Sequence, residues 1–381
     1  MHTELPLSMP QIATYAIAAC RRGNTWFISL HGSFLRLATV LLFGIIFSCP
    51  PALSIHPEQS PSAATLESAD SLLRLGKSNE AITALNAIAL SDPSRPSVEL
   101  RLGKAYYNLK DYPQAATHLK RAIAALPQDW EANQLLALTS YAMGDCAQAV
   151  PLMIAVLPHL PEGQADADYM LGICYLRLND RANARKAIAA IFGVAPDAPM
   201  AYLMLAKMMV RQQQESDSVG EIDKALQLDP RLPMAHFLLG EVDLSKSDPA
   251  QALVEFQKEI DVNPSVWLVY WRLGDTYLRL QKFDEAEKAL KKALWLNDSF
   301  TGSYLMLGEV ELQRNEPQLA RQFLEHAVKL DPQNYYGHYF LGRAYQKLGL
   351  KDEAEHQFEL QRTLRQDSRT GETQRLGQPP P

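Results

Sequence analysis

The residue types that could carry chemistry are sparse and isolated. Gly76-Lys77-Ser78 has the ending of a phosphate-binding loop, where glycine N–H groups cradle a phosphate and a lysine neutralises it. Such a loop needs a further glycine five residues before Gly76, where Ser71 stands, and a strand ahead of it. A turn between helices is the expected reading. No H-E-x-x-H zinc pair and no G-x-S-x-G nucleophile turn occurs. The cysteines are Cys20, Cys49, Cys146 and Cys174, and no C-x-x-C spacing offers a structural zinc site. Asp243 and Glu259 could form an acidic pocket, but one carboxylate pair without further ligands is not a metal site. Contact with solvent or with nearby Lys and Arg is expected for both. His236 and His338 fit ordinary packing between helices. No catalytic residue, cofactor or metal is expected.

The elements that would position any site come from one period. From residue 62 onward, small residues recur about every 34 positions as Ala81, Ala115, Ala149, Ala184, Ser218, Ala252, Ala286, Ala320 and Ala354. Only the step from Ala149 to Ala184 is 35. Leu-Gly or Leu-Ala pairs keep the same period, from Leu102-Gly103 through Leu205-Ala206 and Leu273-Gly274 to Leu341-Gly342. So do prolines at Pro93, Pro127, Pro161, Pro196, Pro230, Pro264 and Pro332, with Asp298 standing in once. A fixed period of this length signals stacked helical units, since one hairpin cannot bury its apolar face alone. The Gly or Ala of the first helix is expected to face the Ala of the second. The proline is expected to stop each unit, because it lacks an N–H and disfavours helix in the residue before it.

The pattern resembles the tetratricopeptide repeat family over roughly residues 62–365. The resemblance implies an all-α, right-handed α-solenoid of about nine stacked helix-turn-helix repeats, with turns such as Gly144-Asp145 and Asn179-Asp180. The first repeat is the poorest match and reads as a terminal cap. A last helix is expected over 352–365, and a disordered tail over 366–381. Asp243 and Glu311 stand where other repeats have Tyr106, Tyr175, Tyr277 and Tyr345. Cys146 and Cys174 fall in adjacent repeats. Export would permit a disulfide, but free cysteine is also a common small core residue, and two free thiols are the favoured state.

In this family the first helix of each repeat lines the concave groove. The resemblance places Tyr169, Leu203, Phe237, Trp271, Leu305 and Tyr339 at its fifth position, Met200, Met234 and Leu268 at its second, and Glu241, Asp275 and Glu309 at its ninth. Lys207 and Arg343 share that ninth row. The expectation is an exposed apolar and aromatic stripe flanked by charges. Lysine and asparagine do not occupy the positions with which some members clamp a chaperone carboxylate tail. The expected partner is a protein or peptide segment with apolar side chains.

Leu37 to Cys49 is thirteen residues without charge, too short to span a bilayer, which takes about 20, and of the length of a signal-peptide core. Pro50-Pro51 follows, and Ala52-Leu53-Ser54 offers a small-x-small cleavage site. Residues 1–54 are therefore expected to be an export signal or N-terminal membrane anchor, 55–61 a linker, and the mature protein periplasmic or secreted. The 36 residues ahead of the core are too many for an ordinary signal and point to a start near Leu30 or Leu35. Without residues 1–54, which hold Arg21, Arg22, Arg36 and Glu4, the net charge moves from −6 to −8. That acidity argues against nucleic acid, which needs clustered Lys and Arg. The expected function is an exported scaffold for assembly of an envelope or secretion complex. The alternative is a carbohydrate-binding accessory of polysaccharide export, since aromatic faces also stack on sugars.

Overall fold

The computed structural model describes residues 65–90, 95–161 and 165–376. The expected export segment and linker lie outside these residues. Within them the chain forms nine helical hairpins and no strand. The first helices are α1 (Leu66–Arg74), α3 (Pro96–Asn108), α5 (Trp130–Ala142), α7 (Ala165–Arg177), α9 (Pro199–Arg211), α11 (Ala235–Ser245), α13 (Trp267–Arg279), α15 (Thr301–Gln313) and α17 (Tyr335–Lys347). Their partners are α2 (Ser78–Ala89), α4 (Tyr112–Ala125), α6 (Cys146–Val156), α8 (Arg181–Phe192), α10 (Glu215–Leu228), α12 (Pro249–Val262), α14 (Phe283–Leu296), α16 (Pro317–Leu330) and α18 (Lys351–Leu376). Helix α18 continues past the expected boundary at 365.

Each hairpin turns the same way. One residue after each first helix takes the left-handed backbone, with φ from +58° to +81° at Gly76, Lys110, Gly144, Asn179, Gln213, Ser247, Gln281, Asn315 and Gly349. This reverses the chain in a single step, as helix C-termini commonly do. The next residue opens the second helix. Asp111, Asp145, Asp180 and Asp248 each accept a hydrogen bond there from the N–H three residues on.

Helices α4, α10, α12 and α16 end two residues before the repeating proline, with Leu126, Asp229, Asn263 and Asp331 standing between helix and proline. Helix α14 stops at the same register at Asn297, although Asp298 replaces the proline. The proline reinforces a stop that the stacking of repeats also imposes.

The glycines on the first helices do not chiefly face the alanines, as the spacing suggested. A Cβ on Gly240 would lie 2.5 Å from the Phe256 ring, and one on Gly103 would lie 2.5 Å from Leu119 Cγ. On Gly274 and Gly308 it would collide with Leu290 and Leu324. These partners are fully buried, so each glycine vacates the space that one large side chain fills. The alanine series is itself buried throughout and keeps the two backbones close.

Cys146 on α6 and Cys174 on α7 form a disulfide, with their Cα atoms 5.0 Å apart. This corrects the expectation of free thiols. Spacing alone could not bring them together. A short 3-10 turn at Leu157–His159 follows α6, and α6 and α7 share one core cluster.

Candidate functional site

The first helices lie closer to one another than the second helices do. Helix α1 touches α3, α3 touches α5, α9 touches α11, α13 touches α15 and α15 touches α17, while successive second helices make no comparable approach. A stack closer on one side curves toward that side, which places the first helices on the inner face.

The apolar stripe lies there, but it is sunk rather than free. Leu203 is buried in a core cluster with Ile222, Leu232 and Leu238. Phe237 rests on Phe256, with ring centroids 5.7 Å apart. Trp271 meets Phe300 edge-on at 5.3 Å, and Phe300 also packs on Trp267 at 4.5 Å. Tyr169, Leu305, Met200 and Met234 are half-buried against core clusters, and Leu268 is also half-buried. Only Tyr339, at 39% exposure, stands out. The expected exposed stripe is a seam. First helices that touch leave no room for side chains at these positions except between neighbouring repeats.

The charged row is partly used up inside the chain. Arg272 Nη2 donates to Glu241 Oε2 at 2.6 Å and stacks its guanidinium over Trp271 at 4.6 Å. Arg279 donates to both Asp275 oxygens at 3.1 and 3.2 Å. Asp275 is itself buried. The Asp70–Arg101 pair repeats the Glu241–Arg272 geometry in the first two hairpins, again 31 residues apart. Arg272 was missed in the sequence reading, and that shared offset was the signal for it. Glu309 and Lys207 are half-buried, and neither makes a hydrogen bond or ion pair among the described residues. Burial, reinforced by Asp275, pushes the Glu309 carboxyl up against the pull of Arg343. Burial and the neighbouring Arg211 hold the Lys207 ammonium below the ordinary lysine range.

Of the two acids at unusual register positions, Glu259 departs from expectation. Glu259 does not reach solvent. It is fully buried and accepts from the backbone N–H groups of Met234, at 2.7 Å, and Phe237, at 3.2 Å. It caps α11 from the neighbouring helix, because Met234 at that N-terminus offers no side-chain cap. Asp243 is half-buried, and burial pushes its carboxyl up against the pull of Lys246. His236 and His338 make specific contacts besides packing. His236 Nδ1 lies 2.8 Å from Glu255, while His338 Nδ1 lies 2.7 Å from Gln357 and its Nε2 lies 3.0 Å from the Pro332 carbonyl oxygen. No group of three or more His, Cys, Asp or Glu among the described residues could hold a metal.

Glu311 is the most strained of these groups. It is 1% exposed, and neither carboxylate oxygen has a hydrogen-bond partner. Its nearest cation, Arg314 at 3.9 Å, is already engaged by Glu287 and Asp284. Burial, then Glu287, push its carboxyl up. The folded state therefore holds this proton more tightly than the unfolded state, and stability falls as pH rises from the ordinary glutamate range, about 4.3, through the raised value. Glu311→Gln is expected to stabilise the chain at pH 7 by on the order of 1 kcal/mol. The gain should vanish near pH 4, where Glu311 is protonated. Urea melts at both pH values check this; equal gains at both would show that the charge is not the cause.

A family model described as tetratricopeptide repeat matches residues 66–129, 169–233, 237–303 and 305–367. Among curated proteins the chain is 24% identical over 146 residues to BBSome complex member BBS4 of Mus musculus, covering 38% of this chain and 28% of that protein. Against the Bos taurus protein of the same name it is 32% identical over 156 residues, covering 40% and 30%. The chain thus spans less than a third of the length of these curated relatives. Among solved structures, that of MamA is 21% identical and covers 43% of this chain and 96% of its own, with a TM-score of 0.41.

Proposed function

The chain belongs to the tetratricopeptide repeat family, and on that premise we propose that it is a binding scaffold, not an enzyme, which holds a protein or peptide segment along its inner face between Tyr169 and Tyr339. The observation that carries this reading is the row of first helices itself. It presents a ridged apolar seam, one exposed aromatic at Tyr339, and charges at Lys207 and Glu309 without counter-ions. Such a surface suits an extended or helical segment with large apolar side chains. A sugar would need open ring faces, and along the stripe only Tyr339 offers one. The curated relatives are, by name, members of a complex, in keeping with a scaffold.

The setting we propose is outside the cytoplasm, in assembly of an envelope or secretion complex. The uncharged run Leu37–Cys49 with its Ala52-Leu53-Ser54 exit supports export. The Cys146–Cys174 disulfide fits an oxidising compartment.

Affinity capture from the native source with the full chain and with Tyr339→Ala tests the binding face. Tyr339 is exposed, so the melting temperature should hardly move, while a partner anchored there should lose at least about 2 kcal/mol of affinity. Undiminished capture by the variant would move the contact to the second helices or the loops. Mass spectrometry of the native N-terminus tests export. Peptides from residues 1–30 in the mature protein would sink it.

A further inference from the structure

The charges of the inner face divide into a middle that is neutralised from within and two ends that are not. In the middle, Glu241 is held by Arg272 at 2.6 Å, and Asp275 by Arg279 at 3.1 Å and Arg272 at 3.8 Å. At one end, Lys207 on α9 is half-buried without a hydrogen bond or ion pair. The charge that acts on it is Arg211, one turn further on, a second cation. At the other end, Glu309 on α15 is half-buried beside Asp275, a like charge. Arg343 acts on Glu309 only at a distance and lies over the Tyr339 ring at 6.0 Å. A partly desolvated charge without a counter-ion is unfavourable, and the cost is relieved when a ligand brings the opposite charge.

We propose that the segment held on the inner face is bipolar: it sets a carboxylate against Lys207 and Arg211, a cation against Glu309, and large apolar side chains over Phe237 and Trp271 between them. This rests on the reading of the inner face as a peptide-binding surface. Glu241 and Asp275 already hold cations within the chain, so the two ends set the ligand's charge pattern and its direction. The depressed lysine and the raised glutamate are both states that a bound counter-charge would reverse.

The geometry also sets a length. Lys207 and Glu309 are three repeats apart. First helices packed at about 10 Å per step put them about 30 Å apart. That is about nine residues of extended chain at about 3.3 Å each, or about twenty of helix at 1.5 Å each.

The test uses the full chain, immobilised, and a phage-displayed library of random peptides roughly 20 residues long. The wild type is expected to enrich peptides with Asp or Glu near one end, Lys or Arg about nine residues away if extended, and bulky apolar residues between. Lys207→Glu should exchange the acid for a base and deplete the wild-type peptides at least about tenfold, and Glu309→Lys should invert the other end alone. Lys207→Met and Glu309→Gln keep the side-chain size and should each erase charge selection at their own end. Neither residue has a partner to lose, so melting temperatures should stay close to the wild type. The same charge pattern from every variant would overturn the bipolar proposal and leave the peptide-binding reading standing. No enrichment by any of the proteins would overturn both.

Discussion

Gly274→Leu will lower the denaturation midpoint far more than Lys288→Leu in the same hairpin. Gly274 is buried in α13, and even a Cβ at that position would collide with Leu290 Cδ2 and Cγ. Leu290 is itself fully buried, 0% accessible, and packed in the core with Ala286, Leu307 and Val310. Adding a whole leucine forces α13 and α14 apart, at a cost of about 3 kcal/mol, the upper end of ordinary overpacking. Lys288 is exposed on α14, and its replacement should fall within about 0.5 kcal/mol of the wild type. Gln281, though also exposed, is unsuited as the control. Its φ of +58° would strain a leucine for a different reason. Because repeat arrays are stabilised through nearest neighbours, the damage should be local. Hydrogen exchange should accelerate most in α13, α14 and the helices that touch them. Equal midpoints for the two variants would show that Gly274 is not the point of closest approach.

Reduction of the Cys146–Cys174 disulfide is the second large expected effect. The bond joins α6 to α7 across 28 residues of sequence, so in the unfolded chain it closes a loop of that size. Chain-entropy arguments put such a cross-link at about 2–4 kcal/mol. A reducing agent should lower the melting temperature of the wild type and leave a Cys146→Ala, Cys174→Ala variant unaffected. Opening should begin in residues 146–177, where the repeat is least regular. The 35-residue step falls here, Pro151 lies inside α6, and the family model leaves residues 130–168 unmatched. The covalent link stands where the repeat pattern is weakest. An unchanged melting temperature under reduction would show that the pair contributes nothing to stability.

The inner-face residues show where sequence reasoning reached its limit. Tyr169, Phe237, Trp271 and Tyr339 share one repeat position, each on a first helix. Position within a repeat does not fix exposure. Tyr339 emerges, while Phe237 is held down by Phe256 and Trp271 by Phe300. The difference lies in which residue the partner helix or the next hairpin sets opposite, at a sequence distance that no single-helix period encodes. Charge was legible in the same partial way. The ninth-position row was visible as Glu241, Asp275 and Glu309, yet which of them is free depends on Arg272 reaching across to Glu241 and on Arg279 one turn along the helix from Asp275.

By itself the sequence determined the number of hairpins, their register and their turns. Local rules act within about 34 residues: a left-handed residue follows each of the nine first helices, and an aspartate N-cap comes next in four of the hairpins. Each copy confirms the others, so errors in one do not propagate. Only the tertiary structure decided which side chains meet between helices, within a hairpin and from one hairpin to the next. Gly274 faces Leu290 rather than Ala286, Glu259 caps a helix that is not its own, and Cys146 meets Cys174. These contacts depend on how closely two helices approach and at what angle. Those quantities follow from the fit of all the side chains at each interface, which a period along one chain does not contain.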